Sequence, residues 1–506
     1  MLDHLKRLIK TGAAYQAADI LAKGIAVFTL PLYTAHVSSS EYGAYSSLLT
    51  AVILASIIVR FGVGEAFVRF YYHDEDPERR RRIAKTTIAT VAWTTTLSSA
   101  LLIAFAGPVS QAVLGHHEPL LLDCAVVGLW AFTNLEIAYA QLRVDERARA
   151  YLIASITNVA LTVLITVSLV VIGGFGAKGL LLGNFGASGL VVLGLWVALR
   201  SRFSLRVRWS DFKAMLSFGA PTVPADAIVY CLQVADRFYL LRFYSASAAG
   251  QYAIALQLAT VVFVAVRGFQ YAWPPVAYSI KSDAAVARLY SLVATWFVLA
   301  TGVVVAGVTL LGRWLVRLLS AAEYFGAHSA LPWLALGWTL YGLYQMAIVI
   351  TGRAGVTRRN IPAASVGLAV NVLLLLWLVP GPAHPGPLPG GGAGLGIAGA
   401  GMALCGAYVA MLLVIHTITR RVFRISFEWA RLARLTAILG GVAVSGNLLL
   451  PTSGATGFIA RALWLCLIPA LLLLTRFLAP REMVQLRLLL RSARRWRQLA
   501  GQLRAR

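Results

Sequence analysis

The chain has 506 residues, of which 59% are hydrophobic and 13% charged, and its mean hydropathy is +0.75. Such a composition excludes a water-soluble enzyme, whose surface would carry many more polar side chains. The net charge of +25 would suit a nucleic-acid-binding protein, but the basic residues lie in short loops between apolar runs. The sequence therefore predicts an integral membrane protein with no nucleic-acid partner.

Apolar runs of about 20 residues, each long enough to cross a bilayer, recur along the chain. Because lipid offers the backbone no hydrogen-bond partners, these runs must be helices. The predicted class is an all-α polytopic membrane protein. Fourteen transmembrane helices are predicted, at 11–36, 42–72, 86–107, 119–142, 150–172, 177–199, 214–242, 250–271, 289–311, 328–351, 361–379, 395–417, 435–450 and 457–478.

The loops indicate the orientation of the chain in the membrane. Basic loops such as 73–85 alternate with loops of little charge such as the Pro/Gly-rich 380–394, as expected when the basic loops are cytoplasmic. The loop at 312–327 is an exception, because it is predicted outside yet carries two arginines. We expect a retained first helix, cytoplasmic termini and anionic lipids as partners of the basic residues. The basic tail at 481–506 is predicted to be an amphipathic helix on the cytoplasmic face.

A repeat relates two parts of the chain. When 6–81 (the first repeat) is aligned without gaps on 213–288 (the second repeat), sixteen residues are identical. The charged matches carry most weight, because ionisable residues are scarce inside apolar runs. The matches used below are Asp19 with Asp226, Ser40 with Ser247, Gly43 with Gly250, Tyr45 with Tyr252 and Arg60 with Arg267.

With six helices in each half, both copies have the same orientation in the membrane. Parallel repeats of this kind are related by an axis along the membrane normal, and alternating access occurs around a site between them. We predict two parallel six-helix lobes around a central cavity, followed by two further helices and the tail. The predicted boundaries are 1–212, 213–433, 434–480 and 481–506.

Charged residues inside the spans are the candidates for function, since a charge in a bilayer usually faces a cavity or a partner. Arg60 and Arg267 are predicted to face the cavity and to bind a diphosphate, because guanidinium groups pair with phosphate oxygens. The alternative is that each extends to the cytoplasmic interface. Lys23 and Asp19 lie one turn apart, as a cavity-facing pair or a structural ion pair, and Asp226 repeats Asp19.

Two other carboxylates could take part in ion coupling. Glu136 is isolated in the fourth span, where it could take up a coupling proton or pair with a nearby arginine. Asp236 lies nearer the outer end of the seventh span, where water could reach it. The four cysteines show no metal-binding spacing, and no catalytic motif is found. We therefore predict neither an enzyme, a metal nor a cofactor.

Three segments of the first two spans resemble a known family. The segments are 30–34 (LPLYT), 38–43 (SSSEYG) and 62–71 (GVGEAFVRFY). They look like the first hairpin of the polysaccharide flippases, within the multidrug/oligosaccharidyl-lipid/polysaccharide exporter superfamily. The resemblance implies two lobes around a cavity and flipping of an undecaprenyl-diphosphate-linked oligosaccharide from the inner to the outer leaflet. By similarity to the related lipid II flippases, Lys23, Arg60 and Arg267 would face the cavity, and 435–478 would hold the lipid tail.

The resemblance also implies a bacterial cytoplasmic membrane, surface polysaccharide biosynthesis and a link to polysaccharide polymerase machinery. Three other functions stay open at this point. A cation-coupled multidrug carrier of the same superfamily would have a smaller, more aromatic and acidic pocket. A membrane glycosyltransferase or polymerase would need larger external loops, and an uncoupled scramblase would leave no clear mark on the sequence.

Overall fold

The computed structural model describes residues 22–73, 76–200, 203–279, 283–353, 360–381, 386–387, 392–420, 427–475 and 477. Over these residues every extended regular element is a helix. In the described part of the chain, twelve helices are long and apolar enough to span a membrane, or thirteen when one bent pair counts as a span. The first predicted span, 11–36, is described only from residue 22 onward. The prediction of an all-α polytopic membrane protein of about fourteen spans is confirmed.

The helices of the first part of the chain follow the predicted spans, with some breaks. The described part of the first span is helical over 22–28, here α1. The helices after it are α2 (Leu30–Thr34), α3 (Ser39–Val59), α4 (Val63–His73), α5 (Pro77–Ala104), α6 (Ala106–Leu114), α7 (Pro119–Val144), α8 (Ala148–Val167), continued by a π-helical turn Ser168–Ile172, and α9 (Gly176–Ala198).

The second part of the chain continues in the same way. Short 3-10 or π-helical segments cover Ala220–Thr222, Leu240–Tyr244 and Ala322–Ser329. The α-helices are α10 (Trp209–Gly219), α11 (Val223–Tyr239), α12 (Ala246–Ser279), α13 (Asp283–Leu319), α14 (Leu331–Arg353), α15 (Asn360–Leu378), α16 (Gly396–Thr419), α17 (Trp429–Leu449), α18 (Gly454–Leu465) and α19 (Leu467–Leu474).

The second predicted span, 42–72, is not one helix. It breaks between α3 and α4, where Phe61 and Gly62 adopt positive φ angles of 50° and 70°. A Cβ on Gly62 would lie 2.1 Å from the carbonyl oxygen of Gly219. The break is therefore fixed by close backbone contact with α10 and by a conformation that favours glycine. Arg60 lies at the C-cap of α3 and not deep within a continuous helix.

One predicted span is bent at its prolines, and one predicted loop boundary needs correction. The seventh span, 214–242, is bent by 48° where α10 gives way to α11, next to Pro221 and Pro224, since proline interrupts helical hydrogen bonding. The basic segment 73–85 is helical from Pro77, because the Asp76 side chain accepts a hydrogen bond from the Glu78 backbone and caps α5. Most of its arginines lie within the first turns of that helix.

By its internal contacts the chain divides into two units. The first comprises Met1–Lys281 and Arg313–Arg424, and the second comprises Ser282–Gly312 and Ile425–Arg506. The core of the second unit is apolar and includes Leu310, Leu435 and Ile468. The predicted tail at 481–506 lies outside the described residues.

The second unit also buries an arginine. Arg461, on α18, is 1% exposed. It donates hydrogen bonds to the backbone oxygens of Leu310, Leu450 and Pro451 and to the side-chain oxygen of Asn447. The carbonyls of Leu450 and Pro451 follow the last turn of α17, where helical hydrogen bonding ends. Arg461 thus satisfies carbonyls that helix geometry leaves without donors.

The two repeats meet in the first unit, where α3 packs on α12. Gly43 and Gly250 occupy the same position in the two repeats and lie against each other. A Cβ on Gly43 would be 2.1 Å from the carbonyl oxygen of Ala246, and one on Gly250 would be 1.9 Å from that of Ser39. The hydroxyls of Ser39 and Ser247 are 2.6 Å apart. Matched positions touching each other place the local axis of the repeat between these two helices.

Gly43→Ala tests this contact. The added methyl group would collide with backbone, which cannot move aside without separating the helices, so we expect a loss of roughly 1–3 kcal/mol of stability. The measurement is thermal unfolding of the purified protein in detergent. Gly186→Ala on α9 is the matched control, because a Cβ there meets no atom within 4 Å. Equal unfolding temperatures for the two variants would contradict the packing.

Candidate functional site

Two cations from the two repeats meet on one aromatic ring. The Nζ atom of Lys23, on α1, lies 4.0 Å from the ring centroid of Phe263, on α12. The Cζ atom of Arg267, one turn further along α12, lies 4.9 Å from the same centroid. The Nε atom of Arg267 is buried and has no hydrogen-bond acceptor among the described residues. Lys23, Phe263 and Arg267 are called the cationic cluster below.

The ring of Phe263 explains how two like charges can lie close together. The face of an aromatic ring attracts a cation by about 0.5–2 kcal/mol, which offsets part of the repulsion between the two side chains. Phe263 also begins a row of aromatic rings. Its centroid lies 4.4 Å from that of Trp338, which is 5.7 Å from Tyr341, and Tyr341 is 5.5 Å from Tyr408.

The equivalent place in the first repeat lacks this cluster. The position of Phe263 is taken by Ser56 and that of Lys23 by Tyr230. Arg60 still reaches back one turn, but there its Nε donates to the backbone oxygen of Ser56 over 3.1 Å. The hydroxyl of Tyr230 donates to the backbone oxygen of Thr50 over 3.3 Å. The repeat therefore concentrates positive charge on one side of its axis.

Arg60 has acidic neighbours instead of a second cation. Its charge acts on Asp226 of α11, and so does that of Glu65. Asp226 lines a cavity of 140 Å³ together with Tyr341, Gln345 and other residues of α11, α14, α15 and α16. Asp19, the predicted counterpart of Asp226, lies outside the described residues.

The two carboxylates predicted for coupling differ in their surroundings. Asp236 is 1% exposed, and its carboxylate accepts hydrogen bonds from the Tyr252 hydroxyl and from the backbone N–H of Arg237, the latter over 2.8 Å. The sequence predicted that water could reach Asp236, and this prediction is wrong because the side chain is buried. Glu136 is partly exposed, and over the described ranges its carboxylate makes no hydrogen bond or ion pair.

The predicted outer ends of the repeats are joined by a segment whose role the sequence did not reveal. Glu323, in the 3-10 helix Ala322–Ser329, accepts a hydrogen bond from the backbone N–H of Ser39 over 2.9 Å and another from its hydroxyl. Tyr324 donates to the backbone oxygen of Val37 over 2.7 Å. Burial raises the pKa of Tyr324, so its hydroxyl keeps the proton that it donates. The loop at 312–327, which was the exception to the charge pattern, thus hydrogen-bonds to the start of α3 at the predicted outer end of the first repeat.

The opposite ends are also in contact. On α10, Asp211 accepts a hydrogen bond from Arg82 of α5 over 3.0 Å, and Met215 is buried in a core formed with α4, α5 and α7. Arg69 of α4 lies over the ring of Phe218 at 4.1 Å. Contacts among the described residues therefore join the repeats at both ends.

A family model described as polysaccharide biosynthesis protein matches residues 36–329, which is more than half of the chain. The chain belongs to this family. The resemblance to the polysaccharide flippases seen in the first hairpin is confirmed, and so is the assignment as a multi-pass membrane protein. A search of curated protein sequences finds no significant match.

Solved structures of transporters share the fold. One is the lipid II flippase MurJ in an inward closed conformation, with a TM-score of 0.70, 14% identity, and coverage of 91% of this chain and 97% of that chain. Another is the inward-facing conformation of a multidrug resistance MATE family transporter of the MOP superfamily. Its TM-score is 0.60 and its identity 13%, and the match covers 80% of this chain and 95% of that chain. A third is the Vibrio cholerae MATE transporter VcmN in the bent form. Its TM-score is 0.53 and its identity 14%, and the match covers 83% of this chain and 98% of that chain. At these identities the likeness shows the fold alone.

The sequence identified some members of this candidate site and missed others. Lys23 and Arg267 come together, while Arg60 and Asp226 form a separate group. Phe263 was missed, although it lies four residues before Arg267 and hence on the same helix face. Arg461 was also missed, although the rule that selects charges inside apolar runs applies to it equally.

Tyr252→Phe tests the hydrogen bond to Asp236. Removing the hydroxyl leaves a buried carboxylate with one donor fewer, so we expect a loss of about 1–3 kcal/mol in the free energy of unfolding. Thermal unfolding in detergent measures it. Tyr45→Phe is the matched control, because Tyr45 is the equivalent tyrosine and Thr29 stands in the place of Asp236. If both variants lose the same stability, the hydrogen bond contributes nothing specific.

Proposed function

We propose that this protein is a flippase that moves an undecaprenyl-diphosphate-linked oligosaccharide from the inner to the outer leaflet for surface polysaccharide biosynthesis. The observation that carries the proposal is the cationic cluster, in which Lys23 of the first repeat and Arg267 of the second lie over one ring. A ligand held there touches both repeats at once. A transporter needs this arrangement if its cargo is to be coupled to their relative movement.

The chemistry of the cluster fits a diphosphate. An ammonium group acts as a point charge, and a guanidinium group presents paired donors that match phosphate oxygens. The buried Nε of Arg267, which lacks an acceptor among the described residues, provides one such donor. In a low-dielectric environment a dianion between these groups would be held more strongly than at a water-exposed surface. The lipid carrier itself would remain in the bilayer.

Alternating access follows from the contacts at the two ends. On the predicted outer side, the repeats meet through glycines, serine hydroxyls and Glu323 and Tyr324. Such polar contacts can be exchanged for water when the ends separate. On the predicted cytoplasmic side, the repeats are joined by the Arg82–Asp211 ion pair and by the packing of α10 against α4, α5 and α7. We infer that the structure represents a closed state between inward and outward opening.

The direction and the location rest on the loops. Arg82 and its neighbours are placed on the cytoplasmic side by the positive-inside rule, which gives an inner membrane protein with cytoplasmic termini. The lipid II flippase MurJ has the same fold, and the handling of a lipid-linked substrate is consistent with it. We propose Asp236 and Glu136 for ion coupling, Asp19, Arg60 and Asp226 as further cavity residues, and polysaccharide polymerase machinery as a partner.

A cation-coupled drug carrier is the second candidate, because MATE transporters share the fold. The cavity beside Asp226, lined by Tyr341, Tyr344 and Tyr408, is aromatic and acidic, as binding of an organic cation requires. Its volume of 140 Å³ is well below the roughly 300–1,000 Å³ typical of pockets for drug-sized ligands. The flippase therefore remains the preferred function.

Replacing Arg267 tests the proposal. We expect Arg267→Ala to reduce surface polysaccharide at least tenfold, because the diphosphate loses a paired donor, and Arg267→Lys to restore part of it. The readout is surface polysaccharide in cells that carry the variant as their only copy, with membrane levels checked by immunoblot. Arg288→Ala is the control, because Arg288 is exposed and lies outside the cluster. Normal export by Arg267→Ala at normal protein levels would refute the site.

A deletion strain separates flipping from efflux. Loss of the protein should cause lipid-linked oligosaccharide to accumulate on the inner leaflet, while susceptibility to organic cations stays unchanged. Increased susceptibility without accumulation would favour the drug carrier.

A further inference from the structure

A second cavity, of 280 Å³, lies beside α1, α3, α8, α9 and α12. It is called the uncharged cavity below, because none of its fifteen lining residues is Asp, Glu, Lys, Arg or His. It is nevertheless polar. Its hydrogen-bonding groups are supplied by Thr29, Tyr33, Tyr42, Tyr45, Asn158, Thr162, Thr166, Asn184 and Gln257.

Amide side chains at this depth call for an explanation. The three amides that line the cavity are half-buried, and lipid cannot satisfy their hydrogen bonds. Asn158 and Asn184 come from neighbouring helices of the first part of the chain, and Gln257 comes from the second repeat. The Tyr42 hydroxyl donates to Gln257 over 3.4 Å, a long hydrogen bond that a ligand could displace. The lining offers both donors and acceptors to an uncharged polar ligand.

The repeat shows that the two copies of this space differ in size and in lining. Val229, Leu232 and Gln233, the equivalents of Ala22, Ile25 and Ala26, line the smaller cavity of 140 Å³ beside Asp226. In the second repeat, Tyr252 is turned to the buried carboxylate of Asp236. In the first repeat the equivalent Tyr45 has Thr29 at the corresponding position, and both side chains line the uncharged cavity. The larger cavity lies beside α1 and α12, the helices that carry the cationic cluster.

The uncharged cavity is adjacent to that cluster in the chain. Ala22, which lines it, precedes Lys23, and Gln257 lies six residues before Phe263 on α12. Six residues of α-helix rise about 9 Å, which is the scale of one sugar ring joined to a diphosphate. A molecule whose phosphates lie at Lys23 and Arg267 would therefore direct its next group toward Asn184 and Gln257.

We propose that the uncharged cavity binds the first, uncharged sugar of the lipid-linked oligosaccharide, next to the diphosphate. This inference rests on the proposed function and deepens it. Hydroxyl and amide groups of such a sugar exchange hydrogen bonds with tyrosine hydroxyls and side-chain amides. The volume limits the cavity to a single sugar unit, so the rest of the glycan lies elsewhere.

The test compares two probes on protein in lipid nanodiscs. One probe is undecaprenyl diphosphate, and the other is the native lipid-linked oligosaccharide extracted from cells that lack this protein. Asn184→Leu should weaken binding of the oligosaccharide probe about tenfold, because a site built for polar groups loses affinity when one is left without a partner. Binding of undecaprenyl diphosphate should change less than twofold. Arg267→Ala should weaken both.

Gln345→Leu is the matched control, because it removes an amide from the other cavity; it should affect neither probe. If Asn184→Leu fails to fold, Asn158→Leu and Gln257→Leu make the same test from other helices. Oligosaccharide binding unchanged in these variants, or equal weakening for both probes, would overturn the sugar site while leaving the diphosphate site intact. Binding of both probes unaffected by Arg267→Ala would instead overturn the proposed function.

Discussion

The structure depends on the close approach of α3 and α12 at Gly43 and Gly250. A side chain at either position would collide with the backbone of the other helix, so only glycine permits this distance. Because the two glycines are equivalent in the repeat, the contact lies on the local axis that relates the two copies. It also brings the serines at the start of both helices together. The contact at this end is small and polar, as is common where membrane helices approach each other closely.

The same axis explains why the candidate site is one-sided. Duplication alone would give two equal sites, but the repeats differ at two positions of the cluster. The second repeat has Phe263 where the first has Ser56, and the first repeat has Lys23 where the second has Tyr230. Two cations therefore collect on one ring, while the equivalent arginine, Arg60, lies near carboxylates. On this asymmetry we base the proposal of one dianionic ligand per protein. The cavities of the two copies also differ, since the uncharged cavity has Thr29 at the position that the buried Asp236 occupies in the second repeat.

Hydropathy and the duplicated sequence predicted the spans and the relation between the repeats, because each depends on local composition. The break at Gly62 was not predicted, because it depends on contact with Gly219, far along the chain. The bend at Pro221 and Pro224 was predictable from the sequence, because proline interrupts helical hydrogen bonding locally. The meeting of Lys23 with Phe263 could not, because no local pattern specifies which ring a lysine will reach. The buried Asp236 was placed too near water, because its partner Tyr252 comes from the next helix.

The measurement that tests the account most directly is a reversible cross-link between the repeats. Ser39→Cys and Ser247→Cys, whose hydroxyls are 2.6 Å apart, would be introduced after replacement of Cys124, Cys231, Cys405 and Cys466. Transport of a fluorescent lipid-linked oligosaccharide would then be followed in liposomes under oxidising and reducing conditions. The account predicts that the disulfide forms, that transport stops, and that reduction restores it. Full transport by the cross-linked protein would contradict separation of α3 and α12 as the step that releases cargo.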